Sequence, residues 1–326
     1  MRTALTELLG LDVPIVLAPM GGAVTPELTA AVSNAGGLGV IPVSWSSPSE
    51  LQERVAEIKS LTDRPFGVNL IREWDQRERL EVALEAAVPV VSLFWGDATG
   101  LIAEAREGGA TTFVTVGSAE EAAQVVDAGA DVVVAQGWEA GGHVHGSVTT
   151  FALVPRVVDA VSVPVVAAGG IADGRGLAAA IALGAAGGWI GTRFLGATEA
   201  SVHPDYQARV LAASETDTYY GTLFDGGWPN APHRALRNST VEAWEAAGRP
   251  GPGSRPNEDE SPAFRADGTP IARYASSTPS VGMTGDTEPM PNWAGQGVGL
   301  VTRVQPAAEI VREIAEEAEQ TLAALT

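Results

Sequence analysis

The sequence contains no cysteine, and that absence closes several routes at once. Without a thiol there is no disulfide, no thiolate nucleophile, and no cysteine-held zinc or iron–sulfur cluster. Lysine is almost as scarce: nineteen arginines stand against one lysine, Lys59. Lys59 lies in SPSELQERVAEIKS, a helical pattern with a polar face, where a lysine is solvated. A Schiff-base aldolase or a pyridoxal enzyme needs its lysine inside the site, so both are excluded. Positive charge is short overall, with 20 Lys and Arg against 40 Asp and Glu, a formal net charge of −20. That sign repels nucleic acid and anionic lipid, and it leaves an anionic ligand to be held by local donors. Long apolar runs are missing too. AAAIALGAAGGWIG is too short and too glycine-rich to span a bilayer. The N-terminal MRTALTELLGLD carries Glu7 and Asp12 where a signal peptide needs an apolar centre, so a cytoplasmic protein is expected. None of the four histidines sits with carboxylates at metal-binding spacing, and no metal is expected.

What is present is ample core-forming material: 326 residues, 45% of them hydrophobic. Apolar, β-branched runs recur at regular spacing: PIVLAP (14–19), LGVIPVS (38–44), FGVNLI (66–71), VPVVSLFW (88–95), TTFVTV (111–116), DVVVAQ (131–136), PVVAAGG (164–170) and GGWIGT (187–192). Helical patterns stand between them, several opening on Ser, Thr or Asp and several closing on glycine. The runs are continuous rather than alternating, as parallel strands covered on both faces require. Eight such units in series predict an α/β fold, a (β/α)8 TIM-like barrel. A doubly wound dinucleotide fold would want GxGxxG after the first strand, where PMGGAVTP stands instead.

The alternation stops near residue 214. Residues 215–291 are rich in Pro, Gly, Asp and aromatics, too long for an ordinary connection, and read as an inserted cap with one helix at STVEAWEAAG. The expected organisation is a barrel over 1–214, a cap or substrate region over 215–291, and a segment over 292–326 whose final helix docks back on the barrel. The GQGVGL at 295–300 reads as a loop.

Ligands of such barrels bind at the C-terminal ends of the strands. Pro19-Met20-Gly21 follows the first strand, where glycine lets a flat ligand approach the backbone. Asn69 is a polar residue in an apolar strand; its partners are a ligand or neighbouring backbone. Gly169 and Gly170 follow the seventh run, and the eighth contains Trp189, Ile190, Gly191 and Thr192. Backbone N–H groups and a helix N-terminus there suit a phosphate. Arg193 reads as a salt-bridged barrel residue. After the sixth run, Gln136 leads into Gly137-Trp138-Glu139-Ala140-Gly141-Gly142-His143. An imidazole on a glycine loop at the barrel mouth can exchange a proton near neutral pH, and Gly141 and Gly142 let that loop lie against a planar cofactor. His145, His203 and His233 read as residues outside the chemistry, His233 as a surface residue.

Taken together, PIVLAPMGG, GLGVIP, FGVN, AQGWEAGGHVHG, the VPVVAAGGIADGRG…GGWIGTRF stretch and AGQGVGL resemble the nitronate monooxygenase family, over about residues 10–200 and 293–320. The resemblance implies a barrel that holds FMN without a covalent bond. It implies that Pro19-Met20-Gly21, Asn69, Gln136 and Gly141 contact the isoalloxazine, that Gly170 with Trp189–Thr192 holds the phosphate end, and that His143 is the catalytic residue. The implied reaction is oxidation of alkyl nitronates, or nitroalkanes, by O2 to carbonyl compounds and nitrite, with His143 as base or hydrogen-bond donor. Trp95, Tyr219, Phe224 and Trp228 are offered as an apolar roof or as core. An NAD(P)H-dependent flavin reductase, of the quinone or enoyl-acyl-carrier-protein type, is the alternative. The partners expected are a small-molecule substrate and O2, with NAD(P)H in the alternative; a homo-oligomer is compatible with the sequence. IMP dehydrogenases have similar phosphate loops but work through a cysteine, which this chain lacks.

Overall fold

The computed structural model describes residues 1–325. Eight parallel strands form one sheet: β1 (Ile15–Leu17), β2 (Gly39–Pro42), β3 (Phe66–Ile71), β4 (Val90–Phe94), β5 (Thr111–Val116), β6 (Val132–Gln136), β7 (Val165–Ala168) and β8 (Gly187–Ile190). β1 pairs with β8, with Val16 opposite Trp189. On its other side Leu38 N–H donates to the Ile15 carbonyl and Leu17 N–H to the Leu38 carbonyl, both at 2.9 Å, which closes the barrel.

The strands read as unbroken apolar runs because both faces are buried. Val16, Val40, Phe113, Val132, Val134, Val166 and Trp189 fill the interior with Leu5 of the first helix, Ala4–Leu9. The intervening residues, such as Ile15, Leu17, Ile41, Val68 and Val133, pack outward on the surrounding helices. The helix starts follow side-chain capping: Thr25, Ser47, Ser118 and Asp173 each accept from the N–H three residues on.

The chain then leaves the alternation. A helix Pro204–Ala212 precedes the antiparallel pair β9 (Thr218–Gly221) and β10 (His233–Leu236). β10 also pairs with the two-residue strand Gly142–His143, so the later region joins the barrel through backbone hydrogen bonds at the predicted histidine loop. The helix expected at STVEAWEAAG spans Ser239–Ala246. The last helix, Ala307–Ala323, buries Ile310, Val311, Ile314 and Ala318 in the main core. GQGVGL differs from expectation: Gln296–Leu300 is a 3-10 helix laid across the mouth of the barrel. Its approach depends on glycines, since a Cβ at Gly295 would lie 2.7 Å from the Glu139 carbonyl oxygen. No helix among the described residues is long and apolar enough to cross a membrane.

Candidate active site

A cleft with about 1350 Å³ of empty space, part of it open to solvent, lies at the C-terminal ends of the strands. Pro19, Met20, Gly21, Asn69, Gln136, Gly141, Gly142, His143, Gly169, Gly170, Trp189, Gly191 and Thr192 all line it. Ile190 does not: its side chain is fully buried in the layer between strands and helices, because neighbours on a strand face opposite ways.

One wall is a backbone cradle. Gly169 and Gly170 hold φ of +101° and +74°, a left-handed conformation that glycine adopts without a Cβ penalty. Among the described residues the N–H groups of Gly170, Ile171 and Thr192 find no acceptor. The helix N-terminus expected to assist is already spent. Gly174 N–H donates to Glu317 Oε2 at 2.7 Å and Gly176 N–H to Asp173 Oδ1 at 3.0 Å. Donors to an anion must therefore come from the loops themselves. Arg193 takes no part; it bonds Gln305 at 3.0 Å and faces Glu313 at 3.9 Å.

Asn69 is buried in β3 beside Ser92 of β4, whose hydroxyl donates to Asn69 Oδ1 at 3.0 Å. That bond fixes the amide orientation and leaves Nδ2 without an acceptor among the described residues, on a residue of the cavity wall. Gln136 is spent differently: its Nε2 donates to the His143 carbonyl at 3.1 Å and its Oε1 accepts from His145 N–H at 3.2 Å. Its side chain clamps the histidine loop. Gly141 is needed for packing, because a Cβ there would overlap Gly295 and Ala294. Gly142 is needed for its φ of +69°.

The two neighbouring histidines separate cleanly. His145 points to Glu121, with Nε2 at 3.1 Å from Oε1, and that carboxylate holds its pKa above the ordinary imidazole value. His143 lines the cavity, and its ring stacks on Trp228 with centroids 3.9 Å apart and planes 26° apart. Its Nε2 is buried and has no hydrogen-bond partner among the described residues. Burial, and then the nearby His233, push its pKa down to about 3, so the imidazole is neutral at physiological pH.

His233, read from sequence as a surface residue, is fully buried opposite His143 in the strand pair. Its Nε2 accepts from Phe224 N–H at 3.2 Å and its Nδ1 donates to the Ala231 carbonyl at 3.0 Å. Those two bonds fix a neutral tautomer, and burial lowers its pKa to about 4. The strand that buries it is only four residues long and shows no alternation that would mark it in the sequence.

The roof is aromatic. Trp228 and Phe94 line the cavity, with Trp95 behind, its ring 5.1 Å from that of Trp228. Tyr219 and Phe224 belong instead to a separate cluster under the later strands, which settles them as core. Sequence reasoning missed Trp45 and Trp293, both in the wall; Trp45 stands three residues past β2, a position that marks the barrel mouth. The described wall contains no Asp, Glu, Lys or Arg. Among the described residues no group of three His, Asp or Glu is placed to hold a metal.

A family model described as nitronate monooxygenase matches residues 2–77 and 71–317. A protein of Rhodococcus jostii, named (3aS,4S,5R,7aS)-5-hydroxy-7a-methyl-1-oxo-octahydro-1H-indene-4-carboxyl-CoA dehydrogenase, is 42% identical over 249 residues, 76% of this chain and 69% of that protein. A nitronate monooxygenase of Paraburkholderia phytofirmans is 31% identical over 371 residues, covering 98% of this chain and 96% of its own length. FabK from Thermotoga maritima has a similar structure, with a TM-score of 0.87 and 37% identity over 100% of this chain and 98% of that one.

Proposed function

The chain belongs to the nitronate monooxygenase family, an oxidoreductase family, and from that premise we propose that it binds FMN and oxidises alkyl nitronates with O2. The observation that carries this reading is the placing of His143. A neutral imidazole with an unspent Nε2 stands on the same cavity as a glycine cradle with unspent N–H groups. The cradle fits a phosphate tail: Gly170, Ile171 and Thr192 offer donors, and at Gly170 a Cβ would meet only the Glu139 side chain, 3.7 Å away. Pro19, Met20, Gly21 and Asn69 fit the ring system, Asn69 through its free Nδ2. When bound, FMN supplies the electron acceptance from substrate and the transfer to O2.

The protein's own part is orientation and neutral hydrogen bonding. A group with a pKa of about 3 is poorly matched to removing a carbon-bound proton, since a base works best near the operating pH. His143 therefore serves the preformed nitronate anion, as a donor from the imidazole N–H, rather than deprotonating the nitroalkane. Gln136 holds the loop that presents it, and Trp228 closes one face of the ring to water. In a water-poor cavity such neutral donors stabilise an anion far better than they do in solution.

A second reading is favoured by the relatives named as a CoA-thioester dehydrogenase and as FabK: an NAD(P)H-linked flavin enzyme acting on a thioester. Mixing the FMN-loaded protein anaerobically with propyl-1-nitronate or with NADPH separates the two. The nitronate reading expects bleaching by the nitronate, and a loss of about 100-fold in turnover for His143→Ala with FMN retained. Rapid bleaching by NADPH alone, with turnover of an enoyl thioester, would overturn it.

A further inference from the structure

The cavity wall is lined by rings from its mouth to His143. Trp45 is 56% exposed, the one tryptophan among the exposed large hydrophobics of the described residues. It is not stray. A Cβ at Gly21 would lie 3.0 Å from its indole, so Trp45 leans on the turn that faces the proposed isoalloxazine. From Trp45 the rings continue inward: Trp74 at 5.7 Å, then Trp228 at 5.2 Å, then His143 at 3.9 Å, with Trp293 5.4 Å beyond His143. Phe94 flanks Trp228 at 6.4 Å. No charged side chain interrupts this path along the described wall.

A half-exposed indole at the mouth of an uncharged cavity keeps a large apolar area in water, and that cost is removed when a ligand covers it. Trp45, Phe94 and Trp293 line the cavity and meet their ring neighbours tilted or edge-on, whereas Trp228 is stacked on His143. We propose that Trp45, Phe94, Trp228 and Trp293 form a binding vestibule for the carbon body of the substrate, a flat apolar ring group. The reacting head reaches His143 while the body lies outward to Trp45. The inference rests on the reading that the cavity holds FMN and a planar anionic head; it adds the class of group attached to that head.

Non-oxidisable carboxylates mimic the planar anionic head. The FMN-loaded protein is titrated calorimetrically with 2-naphthoate and with propanoate, together with the Trp45→Ala variant. The variant removes an exposed ring, and its melting curve is compared with that of the parent. 2-Naphthoate is expected to bind at least about tenfold more tightly than propanoate, and Trp45→Ala to weaken 2-naphthoate by about three- to tenfold and propanoate by less than twofold. Propanoate binding within threefold of 2-naphthoate, or a variant that leaves 2-naphthoate unchanged, overturns the vestibule. Failure of the cofactor reading shows separately, as protein that retains no flavin after loading; flavin retained with no preference for the ring overturns the vestibule alone.

Discussion

Around the barrel, each strand is tied to its neighbours by a parallel ladder, from β1 paired with β8 to the Leu38 bonds that close the ring. Residues 215–291 hold themselves differently. Their strands run two to four residues, and side chains take over the bonding. Asn238 Nδ2 donates to the carbonyls of Glu288 and Met290 at 3.0 and 2.8 Å, and Thr240 Oγ1 to that of Pro289 at 2.8 Å. Arg255 grips Asp225 with two bonds of 2.7 and 2.6 Å. The barrel is held by continuous ladders and close packing, whereas the roof adds polar side-chain anchors to small apolar clusters. His143 stands where the two meet, on a barrel loop paired with a roof strand.

The sharpest test of this contrast lies on the barrel side. Gly39 in β2 passes so close to helix Pro26–Asn34 that a Cβ would overlap the Thr29 carbonyl. Gly39→Ala has no flexible side chain to push aside, only the Thr29 backbone. It is expected to cost about 3 kcal/mol and to lower the whole unfolding transition. Urea unfolding checks it; a variant as stable as the parent would show that the barrel gives locally, as the roof does. Gly248, by contrast, has φ of +82° and open space around it, so its substitution strains only its own backbone.

The same contrast explains what the sequence discloses. The eight strands were legible because burial on both faces writes a continuous apolar run, and several helix starts carry their own cap. The site residues at strand ends were legible for the same reason: once β1, β3, β6 and β7 are found, the next residues must lie at one mouth. Nothing local marks Gly142–His143 as a strand, since two residues have no period, so its partner His233 read as a surface residue. Gln136's place on the cavity wall was visible in the sequence, whereas its two bonds to the histidine loop were not. GQGVGL offered one unused signal: glycines spaced for close backbone approach, which Gly295 and Gly297 make to Glu139 and Gly170.

On the roof side, the comparison predicts a smaller and more local loss. Arg255 is 6% exposed and its partner Asp225 23%, so removing the guanidinium leaves a half-buried carboxylate unpaired. Arg255→Ala is expected to cost about 2 kcal/mol, less than a fully buried pair because water reaches Asp225. Asp225 starts the turn that carries Trp228, whose N–H donates to the Asp225 carbonyl at 3.0 Å. The loss should therefore appear as faster hydrogen exchange around residues 225–236 and weaker stacking on His143, with barrel amides unchanged. Exchange rising equally in β1 and β2 would mean that roof and barrel unfold as one unit.

The junction itself responds to acid. An unfolded histidine titrates near 6.5, whereas folded His143 and His233 titrate near 3 and 4. Below pH 6.5 the unfolded chain takes up protons that the folded chain refuses. The contribution of these two residues is thus complete above pH 6.5 and is lost as pH falls to about 4 for His233 and about 3 for His143. His145 runs the other way: its pKa is raised by Glu121, so its contribution is present below 6.5 and lost as pH rises through its folded value. Between pH 6.5 and 5 the unfolding free energy should fall by about 1 kcal/mol per pH unit for each buried histidine, less the gain from His145. His143→Asn should remove roughly half of the His143–His233 part of that slope. Because both residues sit on paired strands between barrel and roof, exchange at Val144 N–H, bonded to the Pro232 carbonyl at 2.9 Å, should quicken before exchange at Leu38 N–H in the barrel seam. If both amides, corrected for intrinsic rates, lose protection together as pH falls to 5, the junction is no weaker than the barrel and the distinction between the two regions fails there.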